Sequence, residues 1–255
     1  MTSRQIWVKP AVPVLVVGVC GGSGCTTTAL GLANTAAVKG ISVAAVEATP
    51  AGGDLAERGA DSVLSENGIE QLLRSARGGI ISDEAFAQAS SHTGTSARIL
   101  HRSGNKLATE ADYVAVDDYL RSRRASAVYD VGHRLQPPYL APLLKHSQAP
   151  IVLTVPCRVD AFNRMRSSLD TIGGLLGDAG LKRTVVTISN QDANGWPVDI
   201  ALLRKYLGDK IWSIEQIPYD QHLGSGVVIS YDQLAPETVT AYEKLAAAAV
   251  AASEG

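Results

Sequence analysis

The chain has 255 residues, of which 45% are apolar and 19% charged. It is long and apolar enough to bury a sizeable core, which excludes a disordered chain, a collagen-like repeat and a coiled coil. A net charge of −2 argues against wholesale attraction to nucleic acid, and three cysteines make no disulfide framework, so a reducing cytoplasm is the expected setting. No run approaches the roughly 18 apolar residues of a membrane span.

Residues 1–11 read as an N-terminal leader with Arg4 and Lys9 but no apolar centre of the signal-peptide kind. The first apolar run, Val12 to Val19, predicts a strand that ends in glycines. Further strands are predicted at Ile41–Val46, Ala97–Leu100, Ala125–Val131, Ile151–Val155, Thr184–Ile188 and Ile211–Ile217. Most of these runs are Val- and Ile-rich and continuous, as strands buried on both faces are. Residues 62–96 form an irregular insertion with two short predicted helices, Leu64–Arg77 and Asp83–Ser90. In an open α/β sheet such an insertion lies near the ligand-binding ends of the strands. Phe162, Met165, Leu169, Ile172 and Leu176 recur at helical spacing, with Asp160 as the expected N-cap. A last helix starts at Pro236 and aligns Val239, Tyr242, Leu245 and Ala249 on one face. The whole predicts one α/β domain over residues 1–255, with about seven mainly parallel strands and helices on both faces.

The strongest local signal is the run Gly18 to Thr28, a glycine loop between a buried strand and a helix. Such a loop points backbone N–H groups inward at the positive end of a helix dipole, an arrangement suited to phosphates. Gly21, Gly22, Ser23, Gly24, Cys25, Thr26 and Thr27 are the candidate phosphate-binding residues. The usual phosphate loop ends in Gly-Lys-Ser/Thr. Here Cys25 holds the lysine position and brings no positive charge. Asp130 ends an apolar strand, where a carboxylate needs a partner. With the Thr26 hydroxyl it forms a candidate magnesium site, the alternative being an anchor for the loop backbone.

Cys20 to Thr28 resembles the deviant Walker A motif, K-G-G-x-G-K-T-T, of the ParA/MinD partitioning ATPases. The resemblance runs along most of the chain. Glu47-Ala48-Thr49-Pro50, followed by Gly52-Gly53-Asp54-Leu55, resembles the D-x-D-P end of the family's second strand. Ser126 to Gly132 resembles its Walker B strand. Asn190 matches the adenine-reading asparagine, and Ile217-Pro218-Tyr219-Asp220 the segment beside the base. The resemblance implies a ParA/MinD-like P-loop fold. It also implies a site for ATP or ADP with Mg2+, with Asn190, Pro218 and Asp220 at the base and Thr26 and Asp130 at the metal; the departures leave open a site that takes no nucleotide.

Those departures are specific. In the family one lysine, at the position of Cys20, crosses a dimer to the partner's nucleotide, and a second, at Cys25, contacts phosphates in cis. The acid that positions the attacking water is replaced by Thr49, and the first acid of that motif by Glu47. The expected function is therefore a non-hydrolysing scaffold or positioning factor for DNA partitioning or for a secretion, pilus or conjugation apparatus, a pseudo-ATPase rather than an enzyme. TadZ-like relatives with altered Walker loops make that role plausible by analogy. One alternative is a weak ATPase switch, with Arg58 or Lys39 supplying the missing charge. Another is a redox-sensing module, since a cysteine at a helix N-terminus can have a lowered pKa; the plainer reading is that Cys20 and Cys25 fill space left by lysines.

The expected partner is a protein of the positioning or secretion machine. Arg121, Arg123 and Arg124, with Arg158, Arg164, Arg166, Lys182, Arg183, Arg204 and Lys205, offer nonspecific DNA binding as a further possibility. The tail Leu245–Gly255 lacks the basic, bulky face of a membrane-binding helix, so no direct membrane anchor is expected. A homodimer would be nucleotide-independent and rest on the helices beginning near Asp160 and Pro236.

Overall fold

The computed structural model describes residues 12–49, 53–76, 80–104, 109–135, 138–145, 148–196 and 198–255. The leader, Pro50, Gly52 and Arg77 lie outside them. Eight strands form one sheet: β1 (Val14–Gly18), β2 (Val43–Glu47), β3 (Ser91–His92), β4 (Arg98–Leu100), β5 (Ser126–Asp130), β6 (Ile151–Pro156), β7 (Thr184–Ser189) and β8 (Ser213–Ile217). Their order is β3-β4-β2-β5-β1-β6-β7-β8. Every pairing is parallel except β3 with β4. The seven predicted strands are all present. The eighth, two-residue Ser91–His92, lies inside the stretch read as irregular and is too short to show a period.

The parallel strands are buried on both faces, and alternation along β1 divides the core. Leu15 and Val17 pack into one layer with Ala44, Val46, Tyr129, Leu153 and Val155. That layer is closed by α3 (Ile69–Ser75), α4 (Asp83–Ala89), α5 (Glu110–Ser122), α6 (Ala141–Leu144), α7 (Val159–Lys182) and α8 (Ile200–Leu207). Val14 and Val16 pack into the other layer, under α1 (Cys25–Val38), α2 (Leu55–Gly59) and α10 (Pro236–Ala252). A short α9 (Gln221–Gly224) follows β8. Central strands such as β1 and β6 thus meet helices above and below, which is why their sequences are largely apolar.

Two helix starts differ from expectation. The helix predicted from Leu64 forms only from Ile69. Upstream, Ser65 donates its backbone N–H to Ser91 Oγ (2.9 Å) and its hydroxyl to the Gln88 carbonyl (2.7 Å), while Val63 bridges to His92. These contacts hold residues 63–65 against β3 rather than in a helix. The N-cap of α7 is Arg158, and Asp160 sits in the first turn, where its charge suits the helix dipole. The same helix is interrupted at Gly177 (φ 65°, ψ −167°).

α10 packs against α1, β7 and β8. Its apolar face, with Tyr242, Leu245, Ala246 and Ala249, is buried in the chain's own core, so it is spent within the chain. The contact with α1 is close: a Cβ at Gly31 would lie 2.3 Å from the Tyr242 ring. Alanine ordinarily favours a helix interior over glycine by about 1 kcal/mol. Tyr242 is 1% exposed and cannot swing away, so the clash outweighs that gain. Gly31→Ala should lower unfolding free energy by about 1–3 kcal/mol, read as a lower urea midpoint; an unchanged or higher midpoint would show that the two helices part easily.

Among the described residues no helix is long and apolar enough to cross a membrane.

Candidate functional site

The glycine loop joins the end of β1 to the start of α1. Gly18 N–H donates to the Gly132 carbonyl (2.7 Å) and Val19 N–H to the Thr154 carbonyl (3.1 Å), which seats the loop on β5 and β6. Ser23 is buried, with its hydroxyl 3.2 Å from that of Thr154. Gly22 and Gly24 have φ of 71° and 85°, values that disfavour any side chain. A Cβ on Gly21 or Gly22 would meet nothing within 4 Å. The loop is therefore uncrowded at Gly21 and Gly22. It floors a cavity of about 350 Å³ that also takes in Thr26, Thr27, Thr49, Asp54, Arg58, Asp130 and Gln191. That volume is at the lower end of the roughly 300–1,000 Å³ of ligand pockets.

Thr26 Oγ1 donates to Asp130 Oδ2 (2.6 Å), and Gly132 N–H donates to Asp130 Oδ1 (3.1 Å). Burial pushes the Asp130 carboxyl above its ordinary range, against the hydrogen bonds it accepts. Magnesium typically needs one or two carboxylates, with phosphate and water completing its shell. Thr26 and Asp130, which both line the cavity beside the glycine loop, fit that demand. No cluster of three or more His, Cys, Asp or Glu side chains suited to a metal occurs among the described residues.

Cys25 opens α1 and lines the cavity, its buried thiol beside Asp130. Its Sγ donates to the Val16 carbonyl at 3.0 Å. Burial, then the neighbouring Asp130 carboxylate, pushes the thiol well above its usual pKa. It is a neutral, space-filling thiol, contrary to the lowered pKa that the redox alternative requires. Cys20 is part-exposed and all three cysteines are free.

Glu47 lies directly across from Asp130 in the β2–β5 register. It is 1% exposed. Its carboxyl is pushed up to about 7, by burial first, with Asp130 adding to the shift and the Arg102 N–H opposing it. Thr49 donates weakly to Glu47 Oε1 (3.5 Å) and lines the cavity. Its hydroxyl brings neither a charge nor a base. Arg102 secures this segment: its N–H reaches Glu47 Oε2 (2.8 Å), Nη1 reaches the Thr49 carbonyl (2.8 Å), and Nε pairs with Glu70 (3.4 Å). Sequence reasoning missed Arg102, and nothing in its neighbourhood signals it.

The base end is less assembled than the phosphate end. Asn190 Oδ1 accepts from Asp192 N–H (3.1 Å). Asp220 Oδ1 accepts from His222 N–H (2.8 Å) and Leu223 N–H (3.3 Å), and Oδ2 from Ala235 N–H (2.9 Å). Burial alone would raise the Asp220 pKa; these donors outweigh it and hold the carboxyl below its ordinary value. Its position thus caps α9 and ties the chain to the start of α10. Asn190, Pro218 and Asp220 are not among the residues lining the phosphate cavity. Gln191, which sequence reasoning passed over beside Asn190, does line it and donates to the Gly22 carbonyl (2.9 Å).

The two candidate replacement cations separate clearly. Lys39 follows the far end of α1, where it pairs with Glu243 (2.9 Å). Arg58, on α2, lines the cavity. In the arginine cluster, Arg121 pairs with Asp117 (2.8 Å) and Arg123 with Asp83 (2.7 Å), which offsets part of the charge that DNA would need.

No protein-family model and no curated protein matches the sequence. Solved structures do match the fold. A ParA family ATPase from Chlorobium tepidum aligns with a TM-score of 0.70 at 15% identity, over 92% of this chain and 97% of that one. A chain of the MinC:MinD cell division complex of Aquifex aeolicus aligns with 0.66 at 16%, over 92% and 96%. The septum site-determining protein MinD from Pyrococcus horikoshii, complexed with Mg-ADP, aligns with 0.62 at 16%, over 92% and 94%. With a central β1, a glycine loop into α1 and an almost wholly parallel sheet, this chain has the ParA/MinD-like P-loop fold.

Proposed function

We propose that the protein is a positioning or scaffold protein that holds ATP or ADP with Mg2+ at its glycine loop and does not turn it over. The observation that supports this is a glycine loop facing a cavity with an uncharged Cys25 at its end: Gly22 and Gly24 have positive φ and Thr26 meets Asp130, while Sγ is hydrogen-bonded to Val16. Phosphoryl transfer depends almost wholly on positioning and charge neutralisation. Losing one such electrostatic contact lowers the rate about 10²–10³-fold. Two uncharged loop positions, together with Thr49 at the acid's place, would put turnover roughly 10⁴-fold or more below that of an intact loop. Backbone N–H groups still bind, because they need only the loop's path. The Mg-ADP complex of the MinD neighbour and the MinC:MinD complex support a nucleotide and a protein partner for this chain. A cytoplasmic setting, with its three free cysteines, belongs to the same proposal.

Phosphate release tests it. With ATP and Mg2+ the protein should release no more phosphate than buffer. A sustained release that Asp130→Ala abolishes would make it an ATPase.

Oligomeric state is a second test. Cys20 cannot reach a partner's phosphates as a lysine would, so ATP should not convert monomer to dimer. Any dimer should be present without nucleotide. Sedimentation with and without ATP decides this, and an ATP-dependent dimer would contradict it.

A further inference from the structure

We infer that Arg58 is the cation that meets the phosphates in this protein, in place of the charge that Cys20 and Cys25 do not supply. This rests on the nucleotide reading above and gives the site its missing positive group. Among the described residues lining the phosphate cavity, Arg58 is the one lysine or arginine. It comes from α2, outside the loop, so no loop motif points to it.

Its present hydrogen bonds leave the charge available. Nη1 donates to the Val227 carbonyl (2.6 Å) and Nη2, at a long 3.4 Å, to the Leu223 carbonyl. Both acceptors are neutral. Lys39, Arg102, Arg121, Arg123 and Arg158 all have carboxylate partners; Arg58 has none among the described residues. Its backbone is fixed independently, through Arg58 N–H to the Asp54 carbonyl (2.8 Å) and Ile229 N–H to the Arg58 carbonyl (2.7 Å). The side chain can therefore exchange carbonyl for phosphate while α2 stays in place. That exchange is favourable because a phosphate adds the attraction of opposite charges that a neutral carbonyl lacks, and the guanidinium fork matches two phosphate oxygens. The lining also carries Asp54 and Asp130. One guanidinium against two carboxylates means that a polyphosphate enters with a divalent cation rather than alone.

Calorimetric titration with MgADP and with magnesium tripolyphosphate tests the inference on the full chain. Wild type should bind both. Arg58→Gln keeps an amide donor for Val227 but no charge, and should weaken both by about tenfold or more. Arg58→Lys should recover part of the loss. Equal MgADP binding by wild type and Arg58→Gln overturns the inference and leaves the nucleotide reading standing. Arg58-dependent binding of tripolyphosphate without ADP binding supports the inference and ends the nucleotide reading. No binding of either ligand ends both. A second measurement needs no variant: MgADP should slow phenylglyoxal labelling of Arg58 in the wild-type protein, and an unchanged rate overturns the inference.

Discussion

Raising the pH from about 5 to about 8 in metal-free buffer should destabilise this protein through Glu47. In the unfolded chain its carboxyl titrates near the ordinary 4.5; in the folded chain it is pushed up to about 7. Between these values the folded state holds a proton that the unfolded state has released. Stability from this group is therefore greatest below the unfolded pKa and falls as the pH rises through the folded one. The difference corresponds to about 3 kcal/mol. Asp130, raised by burial, acts in the same direction. His101, lowered by burial, acts in the opposite one. The difference between Glu47→Gln and wild type therefore isolates Glu47. Urea unfolding should find the variant more stable at pH 8 by about 1–3 kcal/mol, with little gap at pH 4.5. Equal pH slopes for the two proteins would show that Glu47 is ionised in the folded state at neutral pH.

Cys25→Lys should tighten MgATP binding by about 1–3 kcal/mol, roughly 5- to 150-fold. Cys25 lines the cavity, so a longer side chain has a way out of its buried pocket toward the phosphates. Cys25→Met supplies the bulk without the charge and should give no such gain. Turnover should stay at background in the lysine variant, because Thr49 still holds the acid's place. Calorimetry on the three proteins checks the affinity; equal gains from Lys and Met would assign the effect to packing rather than to charge.

The strand cores were legible because strands buried on both faces must be largely apolar, as Val14–Gly18 and, with Thr154 the exception, Ile151–Pro156 are. The phosphate loop was legible because Gly22 and Gly24 occupy backbone conformations that few other residues tolerate. Thr26 and Asp130, far apart in sequence, were paired through the resemblance, and the structure places them 2.6 Å apart. Arg102 and Arg58 were a different matter. Arg102 acts on Glu47 and Thr49 through a backbone N–H and a carbonyl contact, and carbonyl partners leave no trace in sequence. Arg58 was one of two cations of equal standing until the ends of α1 and α2 were located. Strand β3 escaped because its two residues are held by pairing across β4 and not by their own pattern. At the base end, Asp220 carries a local duty as the cap of α9, which a motif match does not disclose.

The central claim is that the loop holds nucleotide and leaves it intact. The direct measurement incubates excess protein with γ-labelled ATP and Mg2+, separates the protein, and identifies the nucleotide and label that travel with it. Bound ATP should remain ATP for hours, with the same label in Asp130→Asn controls scaled only by affinity. Conversion of the bound pool to ADP and free phosphate, lost in Asp130→Asn, would contradict it, as would the absence of any bound nucleotide at millimolar ATP.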